Sequence, residues 1–180
     1  MSDPFETLGL EPRFELDLND LEARQRELSR ALHPDRYAAR CAAERRLALS
    51  RAIEVNDAAR LLKDPLRRAQ ALLARHGIDV GEGDEQPRSS PGFLMEVLEQ
   101  REELSQALRQ KDVHGAERLA QDFAKREAAL LSELGGAFAA LGNSTSWERS
   151  AAEPLLSKLG ELRFVRRLLN EAHTIVDELS

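Results

Sequence analysis

The sequence predicts an all-α protein built from two helical domains. Its 180 residues contain 4% aromatic and 32% charged side chains, and alanine, leucine, glutamate and arginine are abundant. Such a composition favours helices and supplies few of the side chains that build sheets. A stretch rich in glycine, proline and serine at 77–91 separates two regions with helical apolar spacing. We therefore predict domains at 1–76 and 92–180, joined by a linker at 77–91.

Net charge and motif content exclude several classes of function. A net charge of −6 argues against a general binder of nucleic-acid backbones, and the single cysteine, Cys41, cannot form an internal disulfide. The chain has no apolar run long enough to span a membrane, and its first residues do not resemble a signal peptide, so a cytoplasmic protein is expected. Three of the four histidines, His76, His114 and His173, lack the spacing of metal ligands, and no phosphate-binding loop is present. We expect no metal, no cofactor and no nucleic-acid or membrane partner.

The first domain is predicted to hold a short helix followed by a helical hairpin. Pro4 suits the start of the short helix, and Asp17 or Asn19 is a possible cap of the next one. One helix runs to about Leu32, and the other covers about 40–63. Their apolar stripes consist of Leu18, Leu21, Leu28 and Leu32 in the first, and of Ala48, Ala52, Val55, Ala59 and Leu62 in the second.

A short fourth helix is predicted to follow the hairpin. Asp64-Pro65 restarts the chain, and Gly77 is a stop signal after the apolar positions of this helix. The arginine pairs Arg45-Arg46 and Arg67-Arg68 are interpreted as solvated helix faces.

The tripeptide His33-Pro34-Asp35 lies between the two helices of the hairpin. Proline disfavours helical dihedrals in the residue before it, so the first helix should end near Leu32. The tripeptide is then expected in an exposed loop at the tip of the hairpin, where recognition residues are often found. On the exposed face of the preceding helix, Arg26 and Arg30 are four residues apart and neighbour each other.

The second domain is predicted to be a three-helix bundle with helices at about 93–111, 113–141 and 147–179. Pro154 either lies in the first turn of the last helix or kinks it. The predicted core stripes are Phe93, Val97, Leu104 and Leu108 in the first helix, and Leu155, Leu162, Val165, Leu169, Ala172 and Val176 in the last.

Four apolar residues fall outside these core stripes. Leu94 and Leu98 project to one side of the first stripe, Met95 lies about 160° from it, and Phe164 lies about 200° from the last stripe. Single exposed apolar residues are common, but a cluster of this size indicates an interaction surface. Helical periodicity does not show whether the two helices bring these residues together.

The histidine and aspartate of the tripeptide do not form a predicted active site. No oxyanion segment or nucleophile accompanies them, and Cys41 begins an alanine-rich helix where a buried or inert thiol is the commoner outcome. We predict no enzymatic activity.

The basic helix, the tripeptide loop and the long antiparallel helix together resemble a J-domain. The resemblance extends to the HscB co-chaperone family through residues 5–10 (FETLGL), 64–69 (DPLRRA), 72–77 (LLARHG) and 93–104 (FLMEVLEQREEL). It covers nearly the whole chain, and the last segment is the most specific. The cysteine pairs found near the N-terminus of metazoan members are absent, which favours a bacterial-type member.

This resemblance implies two partners: HscA, a DnaK-type ATPase chaperone, and IscU, the scaffold for iron–sulfur cluster assembly. It implies a chaperone-binding surface made by Arg26, Arg30, His33, Pro34, Asp35 and Arg36. It also implies a scaffold-binding surface made by Leu94, Met95, Leu98 and Phe164. The alternatives are a J-domain co-chaperone for a different client and a helical adaptor in which the tripeptide is incidental.

Overall fold

The computed structural model describes residues 3–78, 80, 91–142 and 147–180, and the described part of the chain is helical without a strand. The prediction of an all-α protein is confirmed. The helices are α1 (Pro4–Leu8), α2 (Leu18–Ala31), α3 (Ala42–Lys63), α4 (Pro65–Arg75), α5 (Pro91–Gln110), α6 (Val113–Leu141) and α7 (Arg149–Leu179). They form two compact units, Met1–Asp79 and Val80–Ser180. Most of the linker predicted at 77–91, and the turn predicted at Asn143-Ser144, lie outside the described residues.

Asp3 caps the first helix of the first unit and also contacts the end of its last helix. The carboxylate of Asp3 accepts the Phe5 N–H at 2.8 Å, and Pro4 occupies the first helical position of α1. Arg75, the last residue of α4, donates to the same carboxylate of Asp3 and, at 3.1 Å, to Glu6. The two ends of the unit are therefore held together by one arginine.

The helices α2 and α3 form the predicted antiparallel hairpin. Leu21 is completely buried, and the apolar stripe of α3 faces the core of the unit. Two side-chain contacts set the register of the helices. The amide of Gln25 donates to Asn56 at 3.1 Å, and Lys63 lies 3.0 Å from Glu22.

The N-terminal end of α2 differs in part from its prediction. Asp17 is the cap, since its carboxylate accepts the Asn19 N–H at 2.8 Å. Leu18, expected in the apolar stripe, is exposed, whereas Leu21, one turn further along, is completely buried.

Arg68 corrects the prediction that Arg67 and Arg68 form a solvated face. Arg67 is exposed, but Arg68 is only 7% exposed. Its Nη1 donates to the carbonyl oxygen of Leu62 at 2.7 Å, near the end of α3, and its guanidinium lies 5.2 Å from the centroid of the Phe14 ring. Burial lowers the pKa of Arg68. This side chain joins the α3–α4 corner to the segment that precedes α2.

Replacing Arg68 with leucine should lower the free energy of unfolding by about 2–3 kcal/mol, because the buried carbonyl of Leu62 loses its donor and Phe14 loses its cation. Urea denaturation of the whole chain measures the change. Arg67→Leu, on the exposed side of the same helix, is the matched control and should change stability by less than about 0.5 kcal/mol. Equal effects of the two substitutions would contradict a structural role for the buried arginine.

The second unit is a bundle of α5, α6 and α7. Phe93, Val97 and Leu104 are buried on α5 as predicted, but Leu108 is exposed and Ala107 takes the core position instead. Leu108 was predicted in the core because the apolar stripe was assumed to follow the same face of α5 for four turns.

The buried face of α7 is wider than predicted. Leu169 and Val176 are only half-buried, whereas Leu168 and Ile175 belong to the core. The reason is that α7 packs against both other helices of the bundle. Pro154 lies in the second turn of α7, so the alternative that placed it in the first turn is wrong, and α7 continues past it.

Candidate functional site

The tripeptide is folded as a compact turn, which we call the HPD turn (residues 33–37). Its residues Pro34–Tyr37 form one turn of 3-10 helix, with proline at the first position. His33 caps this turn, since its Nδ1 accepts the N–H of Asp35 at 3.4 Å, and its carbonyl accepts the N–H of Arg36 at 3.0 Å. The sequence predicted an exposed loop. The position is exposed as predicted, but the backbone is locally ordered by its own hydrogen bonds.

The carboxylate of Asp35 points into solvent, with 90% of the side chain exposed. Nδ1 of His33 lies 3.5 Å from one of its oxygens. When Nδ1 accepts the backbone N–H it carries no proton, and it then has none to give to the carboxylate. The acceptor sites of Asp35 are therefore available to a donor on another molecule.

A strip of arginines, which we call the basic strip (Arg26, Arg30 and Arg36), adjoins the HPD turn. Arg26 and Arg30 lie on the exposed face of α2, and Arg36 lies within the turn itself. Arg26 is 3.6 Å from Glu22, which also accepts a hydrogen bond from Lys63 that lowers the pKa of the Glu22 carboxyl. Within the described residues, Arg30 and Arg36 form no ion pair. The surface beside the aspartate is thus positively charged.

The second candidate surface lies on α5 and α7. Met95 and Leu98 are exposed by 65% and 66%, and the side chain of Leu94 lies outside the described residues. Phe164 was predicted to point away from the core, but it is half-buried. Its ring packs edge-to-face on Phe93, with centroids 5.8 Å apart and planes at 65°. Phe164 is therefore anchored on the core of the bundle.

The register of α5 and α7 shows how these residues are grouped. Nε of Arg101 is 3.7 Å from Glu171, which places this side of α5 next to α7. Leu98 precedes Arg101 by three residues and shares that side of the helix. Leu98 and Phe164 thus both border the groove between α5 and α7, whereas Met95 lies further round α5.

An arginine that the sequence analysis missed supports this surface from the other side. Arg126 of α6 makes a two-pronged ion pair with Glu96, one prong of which measures 3.0 Å, and its guanidinium lies 5.5 Å from the centroid of the Phe93 ring. The hydrogen bond from Arg126 lowers the pKa of Glu96 and raises the pKa of the arginine. The Phe93 ring is therefore held between a cation and Phe164. No sequence signal identified this pair, because it depends on the register of α5 against α6.

The Glu96–Arg126 pair predicts a pH-dependent contribution to stability. Because the folded-state pKa of Glu96 is lowered, the contribution is fully present above the pKa of an unfolded glutamate, about 4.3, and is lost as the pH falls below that value. Glu96→Gln should destabilise the protein at pH 7 and have much less effect near pH 3. Urea unfolding at both pH values measures the difference. Glu99→Gln, an exposed change on the same helix, should alter stability little at either pH. A Glu96→Gln effect that is the same at both pH values would contradict the ion pair.

Three of the remaining candidate residues, Cys41, His76 and His114, lie at the ends of helices. Cys41 is exposed at the N-terminus of α3, which corrects the alternative of a buried thiol. His114 lies 3.3 Å from Glu117, and His76 caps the end of α4. Among the described residues there is no group of three or more histidine, cysteine or acidic side chains placed to hold a metal ion. The described helices also include none that is long and apolar enough to cross a membrane.

An exposed His-Pro-Asp turn between a helix with exposed arginines and a longer antiparallel helix is the arrangement of a J-domain co-chaperone. Residues 89–173 match the family model of the HSCB C-terminal oligomerisation domain. A co-chaperone protein HscB homolog from Vibrio vulnificus (strain YJ016) is 32% identical, over 97% of this chain and 97% of its own length. The chain belongs to the HscB family of co-chaperones.

Solved structures agree with this assignment. The chaperone HscB from Vibrio cholerae superposes with a TM-score of 0.80 at 31% identity, covering 99% of both chains. The human co-chaperone protein HscB also has a TM-score of 0.80, covering 97% of this chain and 82% of its own. Its identity is 24%, so it supports the fold alone.

Proposed function

We propose that this co-chaperone stimulates ATP hydrolysis by a specialised DnaK-type chaperone, HscA, and delivers to it the scaffold protein IscU for iron–sulfur cluster assembly and transfer. The observation that carries the proposal is the Asp35 carboxylate, which is exposed on an ordered turn beside a basic strip. The chain contributes recognition without chemistry of its own, and it acts in the cytoplasm without a cofactor. Residues 1–76 serve as the J-domain, 77–91 as the linker and 92–180 as the scaffold-binding domain.

The chaperone-binding surface consists of Arg26, Arg30, His33, Pro34, Asp35 and Arg36. Asp35 accepts a hydrogen bond from a cationic side chain of the ATPase, and the arginines orient an acidic surface around it. His33 and Pro34 order the turn in advance, which lowers the entropic cost of binding. The positions of these side chains support the proposed roles: the aspartate is at the exposed tip, the arginines are beside it, and the histidine and proline are within the turn.

The scaffold-binding surface consists of Leu94, Met95, Leu98 and Phe164. Phe164 is a suitable anchor because Phe93 holds its ring in place. Leu98 offers exposed aliphatic surface on the same groove, and ion pairs such as Arg101–Glu171 lie at its edge. An apolar centre with a charged rim is typical of protein interfaces.

Binding both partners at once explains how delivery works. Once the scaffold is held by the second unit and the ATPase by the first, their encounter occurs within one assembly at a high effective concentration. Stimulation by the chain and the scaffold together should therefore exceed the sum of their separate effects.

Steady-state ATP hydrolysis by HscA, measured with the chain, with IscU and with both, tests this proposal. Synergy between the two is the expected result. Stimulation by the chain that IscU never enhances would assign the J-domain to another client. Absence of stimulation under every condition would leave a helical adaptor and refute the proposal.

A further inference from the structure

Three large apolar side chains of α3 are exposed to solvent on the hairpin that carries the HPD turn. Leu47, Leu49 and Ile53 are exposed by 55%, 56% and 54%. Leu49 and Ile53 are four residues apart and therefore neighbours on one side of the helix. Leu47 projects about 200° from Leu49, on the other side. We call Leu49 and Ile53 the α3 apolar pair.

The contacts between α2 and α3 place this pair beside the basic strip. Gln25 is hydrogen-bonded to Asn56, and Glu22 is paired with both Lys63 and Arg26. The flank of α2 that carries Arg26 therefore faces the flank of α3 that carries Asn56 and Ile53. The apolar pair lies on this outer side of the hairpin and not in the core.

The antiparallel direction of the helices extends this surface toward the HPD turn. Gln25 of α2 lies opposite Asn56 of α3. Because the helices are antiparallel, seven residues forward from Gln25 and seven residues back from Asn56 lead to the same level, which pairs Leu32 with Leu49. Leu49 is thus level with the end of α2, where the HPD turn begins, and Ile53 is level with the turn of α2 before it. This register places the apolar pair, Arg30 and Asp35, all of them exposed, at the same end of the hairpin, where one partner can cover them together.

We propose that the DnaK-type ATPase binds across this whole surface, with Leu49 and Ile53 as the apolar centre of its interface. The inference rests on the proposed function and names a further part of the same site. A protein docked on Asp35 and Arg30 also covers the adjoining apolar pair. An apolar centre flanked by charges is the usual composition of a protein interface. Its complementary surface on the ATPase is an apolar patch bordered by acidic side chains.

The two parts of the surface should have different kinetic signatures. Charges at the edge of an interface mainly speed association, whereas apolar anchors mainly slow dissociation. Losing the apolar pair should weaken binding of the ATPase while leaving Asp35 able to act in the complex. The half-maximal concentration of this chain should rise, and the maximal stimulation should be kept.

The test is a titration of HscA ATP hydrolysis with the full chain and with the double variant Leu49→Ala, Ile53→Ala. We expect the half-maximal concentration to rise about tenfold, which corresponds to about 1.4 kcal/mol shared between two truncated anchors. Leu47→Ala is the matched control, since this leucine is equally exposed on the opposite flank, and it should titrate like the wild type. Ile53→Gln alone is a second variant that keeps a good helix former at the position.

The outcomes separate this inference from the proposed function. If the wild type stimulates the ATPase and the double variant titrates like Leu47→Ala, the inference is wrong and the proposed function stands. A wild type that never stimulates the ATPase overturns both. Urea unfolding of each variant shows whether a change in titration arises from binding or from loss of the fold.

Discussion

Asp35→Asn should reduce the stimulated ATP hydrolysis of HscA to its basal rate, a loss of at least about tenfold. The substitution keeps the size and the hydrogen-bonding reach of the side chain, and it removes the negative charge that accepts a charge-assisted bond, about twice as strong as a neutral one. The HPD turn should remain folded, since its backbone bonds to His33 do not use the carboxylate. Steady-state hydrolysis at saturating co-chaperone measures the effect.

Asp20→Asn is the matched control for this variant. Asp20 is exposed in the first turn of α2, so its substitution removes the same charge from the same unit at a distance from the HPD turn. It should leave stimulation unchanged. Scaffold binding should be unaffected in both variants, and an Asp35→Asn protein that stimulates normally would show that the carboxylate is not the essential contact.

The double variant Leu98→Ala, Phe164→Ala should weaken binding of IscU about a hundredfold, because each truncated anchor typically contributes about 1–3 kcal/mol to an interface. Leu98 loses exposed aliphatic area, and loss of the Phe164 ring uncovers Phe93 and removes the aromatic anchor. Isothermal titration with the scaffold measures the affinity. Stimulation of HscA in the absence of scaffold should stay at the wild-type level.

Leu108→Ala provides the control for this second experiment. Leu108 is also exposed on α5, near the far end of the helix, and its truncation should not alter scaffold affinity. If the double variant loses scaffold binding and scaffold-independent stimulation together, the two units do not divide the work as proposed. Unchanged affinity in the double variant would place the scaffold surface elsewhere.

The features that could be predicted from the sequence are those determined by local chemistry. Asp17 caps α2 and Pro34 ends it, because capping and the steric effect of proline depend on residues within one turn. Gly77 has a φ of 74° after α4, as a helix stop requires. Such signals predict the ends of the helices to within a few residues, and they predict that the tripeptide is exposed at the tip of the hairpin.

The features that could not be predicted depend on the packing of distant segments. Arg68 reads as a surface arginine because its partners, Phe14 and the Leu62 carbonyl, reach it only through the fold. For the same reason Phe164 was placed opposite the core although its ring lies against Phe93. A helical projection of one sequence segment assumes that the helix packs against one neighbouring element. Arg68 and Phe164 both lie where a second element packs against their helix.

The contact between Arg75 and Asp3 has a consequence for the modularity of the first unit. Residues 72 positions apart meet at this ion pair, so the chain enters and leaves the unit at adjoining points. A segment whose ends lie close together can be inserted into another chain, or circularly permuted with a short bridging peptide. The arginines of α2 and the HPD turn both lie between these two ends, so either rearrangement would carry them together.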